Sequence, residues 1–321
     1  LMPNPPFSVV IPVKNRPDLI TRCLDSVRSQ SYRPIRIIVV DNNSTDNTRD
    51  VIEEWRSKNS DPELSLLLLS EEKPGAAAAR NCGLQAVDTN WMLFFDSDDR
   101  MRPELILSVM EEAKKNPKLD LIYWRTAVVN FREEVIPKRF ARFDLIKRHI
   151  YNGVFCTVSY ALRTDFIRRI GGWDENLPCW DDWELGLRLL TARPNLKGIF
   201  RTLVHIYPQR ESITGTDFHS RAGEWEKAIE KMEQHASTLP DPLRTRILRM
   251  LLYRRVNLAA LYAAEGVVPC SKPWLAISPS QSLEPQALSL EPKISKNDRL
   301  RLRLIYHYTR LGGRAAYLLW D

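Results

Sequence analysis

The sequence predicts an α/β fold: a doubly wound, mixed but mostly parallel sheet flanked by helices, followed by a helical C-terminal extension. Three observations carry this. From Phe7 to Leu121, short continuously apolar runs alternate with segments whose apolar residues recur at helical spacing. Strand, helix, strand, helix in that order requires parallel pairing through right-handed crossovers. Finally, several of the apolar runs end in Asp, Asn or Lys, at the edge where open parallel sheets bind ligands.

The elements follow in order. Residues 7–13 read as a buried strand, because apolar and β-branched residues run together without polar alternation. Pro17 and Asp18 open a helix with Leu19, Ile20, Cys23, Leu24 and Val27 on one face. Residues 35–41 form a second strand, and Val51, Ile52 and Trp55 mark the helix after it. Residues 64–69 are a third strand, and Gly75 starts an Ala-rich helix. Residues 91–96 are a fourth strand, and the helix beginning at Pro103 carries Leu105, Ile106, Val109 and Met110. Beyond Leu121 the rhythm breaks, and residues 127–159 are basic and irregular, with no element assigned. A Gly171-Gly172-Trp173-Asp174 turn then precedes a helix with Leu185, Leu189 and Leu190 on one side. From about Ser220 the pattern is mostly helical, interrupted by a Pro/Ser-rich linker or extended loop at 269–292.

Composition excludes several classes. With 44% hydrophobic residues, the 321-residue chain can fill a core and is not wholly disordered. Its net charge, 47 − 40 = +7, permits contact with phosphates or an anionic surface without requiring it. The five cysteines (Cys23, Cys82, Cys156, Cys179, Cys270) are scattered with no C-x-x-C pair, which suggests reduced thiols and a cytoplasmic setting. No run approaches the roughly 20 apolar residues needed to span a bilayer, and residues 1–6 do not read as a signal peptide. No nucleic-acid-binding module is recognisable.

The chemistry gathers at three strand ends: Pro12-Val13-Lys14-Asn15, Asp41-Asn42-Asn43-Ser44 and Asp96-Ser97-Asp98-Asp99. Singly, such residues are ordinary caps and turns; three on one sheet edge point to a charged ligand. Asp96-Ser97-Asp98-Asp99 is the sharpest signal, since three carboxylates within four positions repel one another as a site closes. A divalent cation would cancel that repulsion and bridge to a diphosphate. In extended chain Asp96 and Asp98 share a side about 6–7 Å apart, so that one could hold a ribose and the other a metal; Asp99 could also cap the Pro103 helix. Asp181 and Asp182 form a second acidic pair between Trp180 and Trp183. Adjacent carboxylates raise each other's pKa, which suits a general base, and the indole faces could pack on sugar rings. A capped helix start with core tryptophans explains the same residues. Arg80, early in the Ala-rich helix, could reach a phosphate. Past Lys293, Arg299, Arg301, Arg303, Arg310 and Arg314 stand among Leu, Ile, Tyr and Trp, as in a helix lying on an anionic membrane or packed on a partner.

Taken together, the motifs at 9–15, 39–46, 75–83 and 95–99 resemble family 2 glycosyltransferases in order and spacing, and those at 171–175 and 180–188 look like the acceptor-side motifs of that family. The resemblance covers residues 7 to about 215 and implies a GT-A fold, with a nucleotide-binding half (1–125), an acceptor-binding half (126–218) and a helical region (219–321). It implies an inverting transfer of a sugar from a nucleotide diphosphate, with uridine expected, to a saccharide or lipid-linked acceptor in cell-surface polysaccharide synthesis. By the same resemblance Pro12, Val13, Asn15 and Asp41 would contact the base and Arg80 the base or phosphates. Asp96, with Ser97, would hold the ribose. Asp98, with Asp96 beside it, would hold Mn²⁺ or Mg²⁺. Asp182 would take the acceptor proton, and Gly172, Trp173, Trp180, Asp181 and Trp183 would face the acceptor. Two departures stand out. Asp181 replaces the Glu often found there, and a His often found shortly before Ser212-Ile213-Thr214 is missing, which leaves Gln209, Arg210, His205 or His219 as candidates for its role. A non-catalytic nucleotide-sugar-binding scaffold on the same fold is the alternative, and the retained Asp182 argues against it.

Overall fold

The computed structural model describes residues 4–138, 140–209, 221–265 and 296–310. The chain divides into two compact units, Leu1–Leu145 with Val154–Gln209, and Ile146–Gly153 with Arg210–Asp321. The first unit begins β1 (Phe7–Val13), α1 (Pro17–Arg28), β2 (Ile35–Asp41), α2 (Thr48–Lys58), β3 (Leu64–Ser70), α3 (Ala76–Gln85) and β4 (Trp91–Phe94). These are the seven expected elements in the expected order. Then come β5 (Arg100–Met101), α4 (Leu105–Lys115), β6 (Leu121–Val129) and β7 (Val135–Pro137). After α5 (Leu145–Asn152), which falls mainly in the second unit, and a 3₁₀ turn at Thr157–Ser159, the first unit ends with β8 (Tyr160–Arg163), α6 (Thr164–Arg169), α7 (Asp181–Thr191) and β9 (Leu196–Ile206).

Among the described residues the nine strands share one sheet in the order β3-β2-β1-β4-β8-β6-β9-β5, with β7 pairing on β6. The ladders through β3, β2, β1 and β4, and that of β6 with β9, are parallel, while β8, β5 and β7 pair antiparallel. The mixed, mostly parallel sheet read from the sequence is therefore present. Parallel strands covered on both faces need apolar residues at every position, and every residue of β1 is buried.

Close packing of α3 fixes the distance from helix to sheet. A Cβ on Gly83 would stand 2.4 Å from Val10 Cγ1 and 3.2 Å from Val40 Cγ2. Gly83→Ala must push α3 off β1 and β2, and thermal or chemical denaturation should show a loss of about 1–3 kcal/mol. An unchanged midpoint would mean that Val10 repacks freely.

Three local expectations are corrected. The fourth strand stops at Phe94 rather than continuing to Asp96, because the Asp99 N–H turns back to the Asp96 carbonyl at 3.2 Å. Asp96 and Asp98 thus lie in a turn and not on one side of an extended chain. The following helix starts at Leu105, with Glu104 at its cap position and no side-chain cap, so Asp99 does not cap it. The unassigned stretch 127–159 holds the end of β6, the β7 hairpin, α5 and the 3₁₀ turn. Its strands are short and its pattern is set by pairing to β6, which leaves little local signal.

The second unit is helical among its described residues: α5, α8 (Ala222–Ser237), α9 (Leu243–Ala264) and α10 (Lys296–Arg310). Arg255 forks onto Glu233 at 2.6 and 2.5 Å, tying α9 to α8, and Thr309 Oγ1 meets Asn257 Oδ1 at 3.1 Å, tying α10 to α9. On α10, Leu302 and Ile305 are buried while Leu300, Leu304 and Tyr308 remain exposed beside Arg301 and Arg303. No described helix is long and apolar enough to cross a membrane. The 269–292 stretch, Arg310 and Arg314 fall on positions or side chains outside those described.

Candidate active site

The loops after β1 and β2 are locked together before any ligand arrives. Asn15 takes a left-handed conformation (φ 50°), its N–H donates to Ser44 Oγ at 3.0 Å, and its Oδ1 accepts the Thr45 N–H at 2.8 Å. Asp41 is buried, accepts the Ser44 N–H at 3.2 Å, and lies 3.8 Å from the Arg49 guanidinium. Asn42 fastens the next loop: its Oδ1 accepts from Gly75 N–H at 2.8 Å, and its amide donates to the Glu71 and Lys73 carbonyls. Pro12 and Val13 are buried at the end of β1, forming the floor beside Asp41.

At the end of β4 the acidic turn is held by arginines. Arg22 Nη2 donates to the Asp98 carbonyl at 2.6 Å, and Arg16 Nη1 lies 3.8 Å from Asp98 Oδ2. Asp99 accepts the Tyr207 N–H at 2.9 Å, and the Arg22 guanidinium lies 4.3 Å from the Tyr207 ring centre. Burial first, then the Asp96 charge, raises the pKa of Asp98 against the pull of Arg16. Asp99 is pushed well up by burial and by Asp96 and Asp98. The turn therefore resists carrying three negative charges at once. Ser97 is buried within it.

Arg80 joins this edge to the acidic helix. Its Nη2 donates to Asp96 Oδ1 at 2.9 Å and its Nη1 to Asp181 Oδ2 at 2.7 Å, while its guanidinium lies 4.3 Å over the Trp173 ring. One planar fork bridging two carboxylates is a task for Arg and not Lys. The chain reaches α7 through a tight turn: Gly171 and Gly172 take φ of 88° and 67°, and a Cβ on Gly172 would fall 2.6 Å from Asn81 Oδ1. That Asn81 oxygen accepts the Trp173 N–H at 2.9 Å, and its amide donates to the Trp173 carbonyl and Glu175 Oε1. Trp180 then adopts a left-handed conformation (φ 54°) and starts α7. Buried Glu184 chelates Arg188 at 2.6 and 2.7 Å, and Arg188 Nη1 donates to the Ile170 carbonyl at 2.9 Å, fixing α7 against the turn.

Asp182 sits at this junction with its carboxyl pKa pushed up to about 7, by burial first and then by Asp181, with Arg80 pulling the other way. A carboxylate that titrates near neutrality can hold a proton taken from a hydroxyl. Asp181 accepts the Asp182 N–H at 3.0 Å.

The structure thus brings Arg80, Asp96, Trp173 and Asp181 into direct contact, with Asp182 at the same helix start. It corrects the tryptophans. Trp173 and Trp183 are 3% and 4% exposed, so neither offers a free face to a sugar; the first supports Arg80, the second packs edge-on at 5.0 Å against Trp180. Only Trp180 is half-exposed. His205 is paired in register with Arg100, and burial together with Arg102 and Arg100 lowers its pKa. Gln209 spends its amide on the Tyr207 carbonyl at 3.0 Å. Arg210 and His219 lie outside the described residues.

Sequence reasoning missed Arg22, Tyr207, Lys138 and Tyr160. Lys138 Nζ lies 4.0 Å from Cys156 Sγ, and its charge opposes the upward shifts of Asp99 and Asp182. Among the described residues of this unit, four buried donors have no partner: Arg22 Nε, Arg80 Nε, Tyr160 Oη and Trp173 Nε1. Each orphan costs about 1–3 kcal/mol. Arg22 and Arg80 contact the acidic residues, Trp173 underlies Arg80, and the Asp182 charge raises the Tyr160 phenol pKa, after burial. Only Arg22 left a trace in the sequence, as a cation inside the amphipathic helix α1 between the apolar residues Ile20 and Cys23.

The family model described as "Glycosyl transferase family 2" matches residues 8–170, about half of the chain and every strand of the donor edge. The chain belongs to glycosyl transferase family 2. This family 2 glycosyltransferase is 34% identical over 100 residues to the glycosyltransferase GlyA of Streptococcus pneumoniae, a match covering 31% of this chain and 14% of that protein. It is 28% identical over 111 residues, 35% of each chain, to the GalNAc(5)-diNAcBac-PP-undecaprenol beta-1,3-glucosyltransferase of Campylobacter jejuni. It therefore spans well under two thirds of either relative. The crystal structure of Staphylococcus aureus TarS 1–349 in complex with UDP-GlcNAc superposes with a TM-score of 0.67 at 18% identity, covering 98% of this chain and 90% of that one. At that identity the likeness concerns the fold, which is GT-A.

Proposed function

We propose that this glycosyltransferase moves a sugar with inversion from a nucleotide diphosphate, a uridine diphosphate sugar first among donors, to a saccharide or lipid-linked acceptor hydroxyl in cell-surface polysaccharide synthesis. The observation that carries it is Asp182. A half-buried carboxylate whose pKa is pushed up to about 7 stands at a helix start that Arg80 ties to the donor edge. In this reading residues 1–125 bind the nucleotide, with Pro12, Val13, Asn15 and Asp41 flanking the base and Asp96 and Ser97 at the ribose. Residues 126–218 present the acceptor, Gly172, Trp180 and Asp181 lying closest to it. Asp182 accepts the acceptor proton as the hydroxyl oxygen attacks the anomeric carbon and the bond to the diphosphate breaks. Arg22 and Arg80, each with an unpaired buried Nε beside the acidic turn, are the cations that would turn to the diphosphate oxygens. The lipid-linked name of the Campylobacter relative and the UDP-GlcNAc bound in the TarS neighbour support the acceptor and donor classes.

A divalent cation, Mn²⁺ or Mg²⁺, belongs to the same proposal. Among the described residues no group of three or more His, Cys, Asp or Glu could hold a metal alone. The donor set is that of a cation carried in with a diphosphate: hard carboxylate oxygens of Asp98, with Asp96 beside it, in a turn whose carboxylates repel one another. When bound, such an ion would stabilise negative charge on the leaving diphosphate. Chelation with EDTA should abolish both transfer and UDP-induced thermal stabilisation, Mn²⁺ should restore both, and Asp98→Ala should raise the Mn²⁺ needed about tenfold or more. Transfer that persists in EDTA would remove the metal from the proposal.

The setting proposed is the cytoplasm, with peripheral membrane contact through α10, whose exposed Leu300, Leu304 and Tyr308 lie beside exposed Arg301 and Arg303. The deciding experiment for the reaction is a panel of nucleotide sugars screened for Mn²⁺-dependent stabilisation and slow hydrolysis. Stabilisation without turnover of any donor would favour a binding scaffold instead.

A further inference from the structure

Tyr160 opens β8, which pairs with β4 on one side and β6 on the other, and it is fully buried. Side chains alternate across a strand. Ala161 belongs with Leu93 to the apolar core on one face of the sheet, so Tyr160 faces the other way. The register sets Leu162 opposite Met92 and Tyr160 opposite Tyr123. Two residues beyond Met92, on that same face, Phe94 meets Trp173 edge-on at 5.2 Å, and Trp173 carries the Arg80 guanidinium. The Phe155 ring lies 5.7 Å from that of Tyr160. Tyr160 is thus fixed by packing on the face that carries Arg80.

The polar groups around it are paired. Trp124 Nε1 donates to the Val158 carbonyl at 3.0 Å, Ser159 Oγ to the Cys156 carbonyl at 2.7 Å and Tyr123 Oη to the Ala141 carbonyl at 3.1 Å. The Tyr160 hydroxyl has no partner among the described residues. A buried unpaired donor lowers stability, and the ring would pack without it. Burial first, and then the charge of Asp182, hold the phenol pKa well above its ordinary value, so the group stays a donor through the neutral range. Asp182 is the matching acceptor. Among the described residues no group donates to its carboxyl oxygens, whereas both oxygens of Asp181 are taken, one by Arg80 and one by the Asp182 N–H.

We propose that Tyr160 is a positioning residue for Asp182, its hydroxyl donating to the carboxylate once Asp182 ionises and holding the oxygens toward the acceptor hydroxyl. A donor already fixed by ring packing needs little reorganisation when the charge appears. The charged and titratable groups that face Asp182 are Asp181 on α7, Arg80 on α3, Asp96 after β4, Lys138 after β7, Cys156 before β8 and Tyr160 itself. Arg80 and Lys138 favour the ionised form through space; Tyr160 adds a directed hydrogen bond. The catalytic consequence rests on the proposed function, in which Asp182 is the base; the hydrogen bond itself does not.

The test is Tyr160→Phe, which removes the hydroxyl and keeps the ring. At about pH 5, with Asp182 protonated, the variant should melt at or above the wild-type temperature, because an unpaired donor is gone. Losing a donor to the carboxylate raises the folded-state pKa of Asp182. Between about pH 7 and 8 the wild type should therefore level off in stability while the variant continues to fall. The midpoint of the pH–rate profile of transfer should move up by about one pH unit, the size of a hydrogen bond to a charged group, with transfer at pH 7 down about fivefold. Stabilisation by UDP and Mn²⁺ should not change. In the Asp182→Asn background, Tyr160→Phe should no longer alter the pH dependence of stability. A stability curve and a rate midpoint that both stay in place overturn the proposal. So does a melting temperature lowered equally at every pH, which would make the hydroxyl purely structural. A raised acceptor KM at an unmoved midpoint would assign the hydroxyl to the acceptor instead. A wrong enzymatic reading would show differently, as a shifted stability curve in Tyr160→Phe with transfer intact in Asp182→Asn.

Discussion

Asp182→Asn should lower sugar transfer by about 10²–10⁴-fold, while UDP-dependent thermal stabilisation should persist. The amide keeps the shape of the carboxyl group but cannot accept the acceptor proton. In the wild-type enzyme, transfer should rise about tenfold per pH unit below 7 and level off above it, following the deprotonation of a group whose pKa is raised to about 7. Stability runs the opposite way. The folded-state pKa lies above the unfolded value of 3.8, so the native form binds the proton more tightly. The stabilisation by protonated Asp182 is complete below about pH 4 and is lost as pH rises through about 7, a difference on the order of 4 kcal/mol. Asp182→Asn should flatten this pH dependence and melt above the wild type at pH 8. Equal transfer rates in the two proteins would exclude Asp182 as the base, and parallel stability profiles would mean that its charge is not buried.

Arg80→Met should be the most damaging single substitution in the unit. It leaves Asp96 and Asp181 without the guanidinium they share and strips Trp173 of its cation. Breaking a buried ion pair from one side costs about 3–5 kcal/mol, readable by urea denaturation at neutral pH. The cost should shrink at low pH, where the carboxyls protonate. If the variant remains folded, loss of the cation that holds the Asp182 pKa down should move the midpoint of any residual pH–rate profile upward. Arg80→Lys should recover only part of the stability, since an ammonium cannot fork across two separate carboxylates. A neutral-pH denaturation midpoint equal to that of the wild type would show that the bridge contributes nothing to the folded state.

The donor edge was legible because parallel strands advertise themselves. Phe7–Val13 and Ile35–Asp41 are buried runs that break off into polar residues, and the structure begins and ends both strands at those residues. The acceptor side was legible only as motifs. Gly172 and Asn81 are distant in sequence, and nothing local announces that Asn81 holds both backbone groups of Trp173. The tryptophans beside the acidic helix suggested a sugar platform, yet two of them are spent on internal packing. Tyr207, Lys138 and Tyr160 gave no signal: Lys138 and Tyr207 directly follow the ends of β7 and β9, and Tyr160 opens β8, whose apolar pattern is complete without its hydroxyl.

By itself the sequence determined the α/β alternation, the sheet edge that gathers charge, the residues of the acidic turn and the family. Each is written in neighbouring positions, through strand and helix periodicity and through short motifs at fixed spacing. Only the tertiary structure decided that Asp96 and Asp181, 85 positions apart, share one arginine, that the surroundings of Asp182 raise its pKa to about 7, and which tryptophans are buried. Burial and charge coupling depend on what the rest of the chain brings within a few ångströms, and no local pattern of residues encodes that.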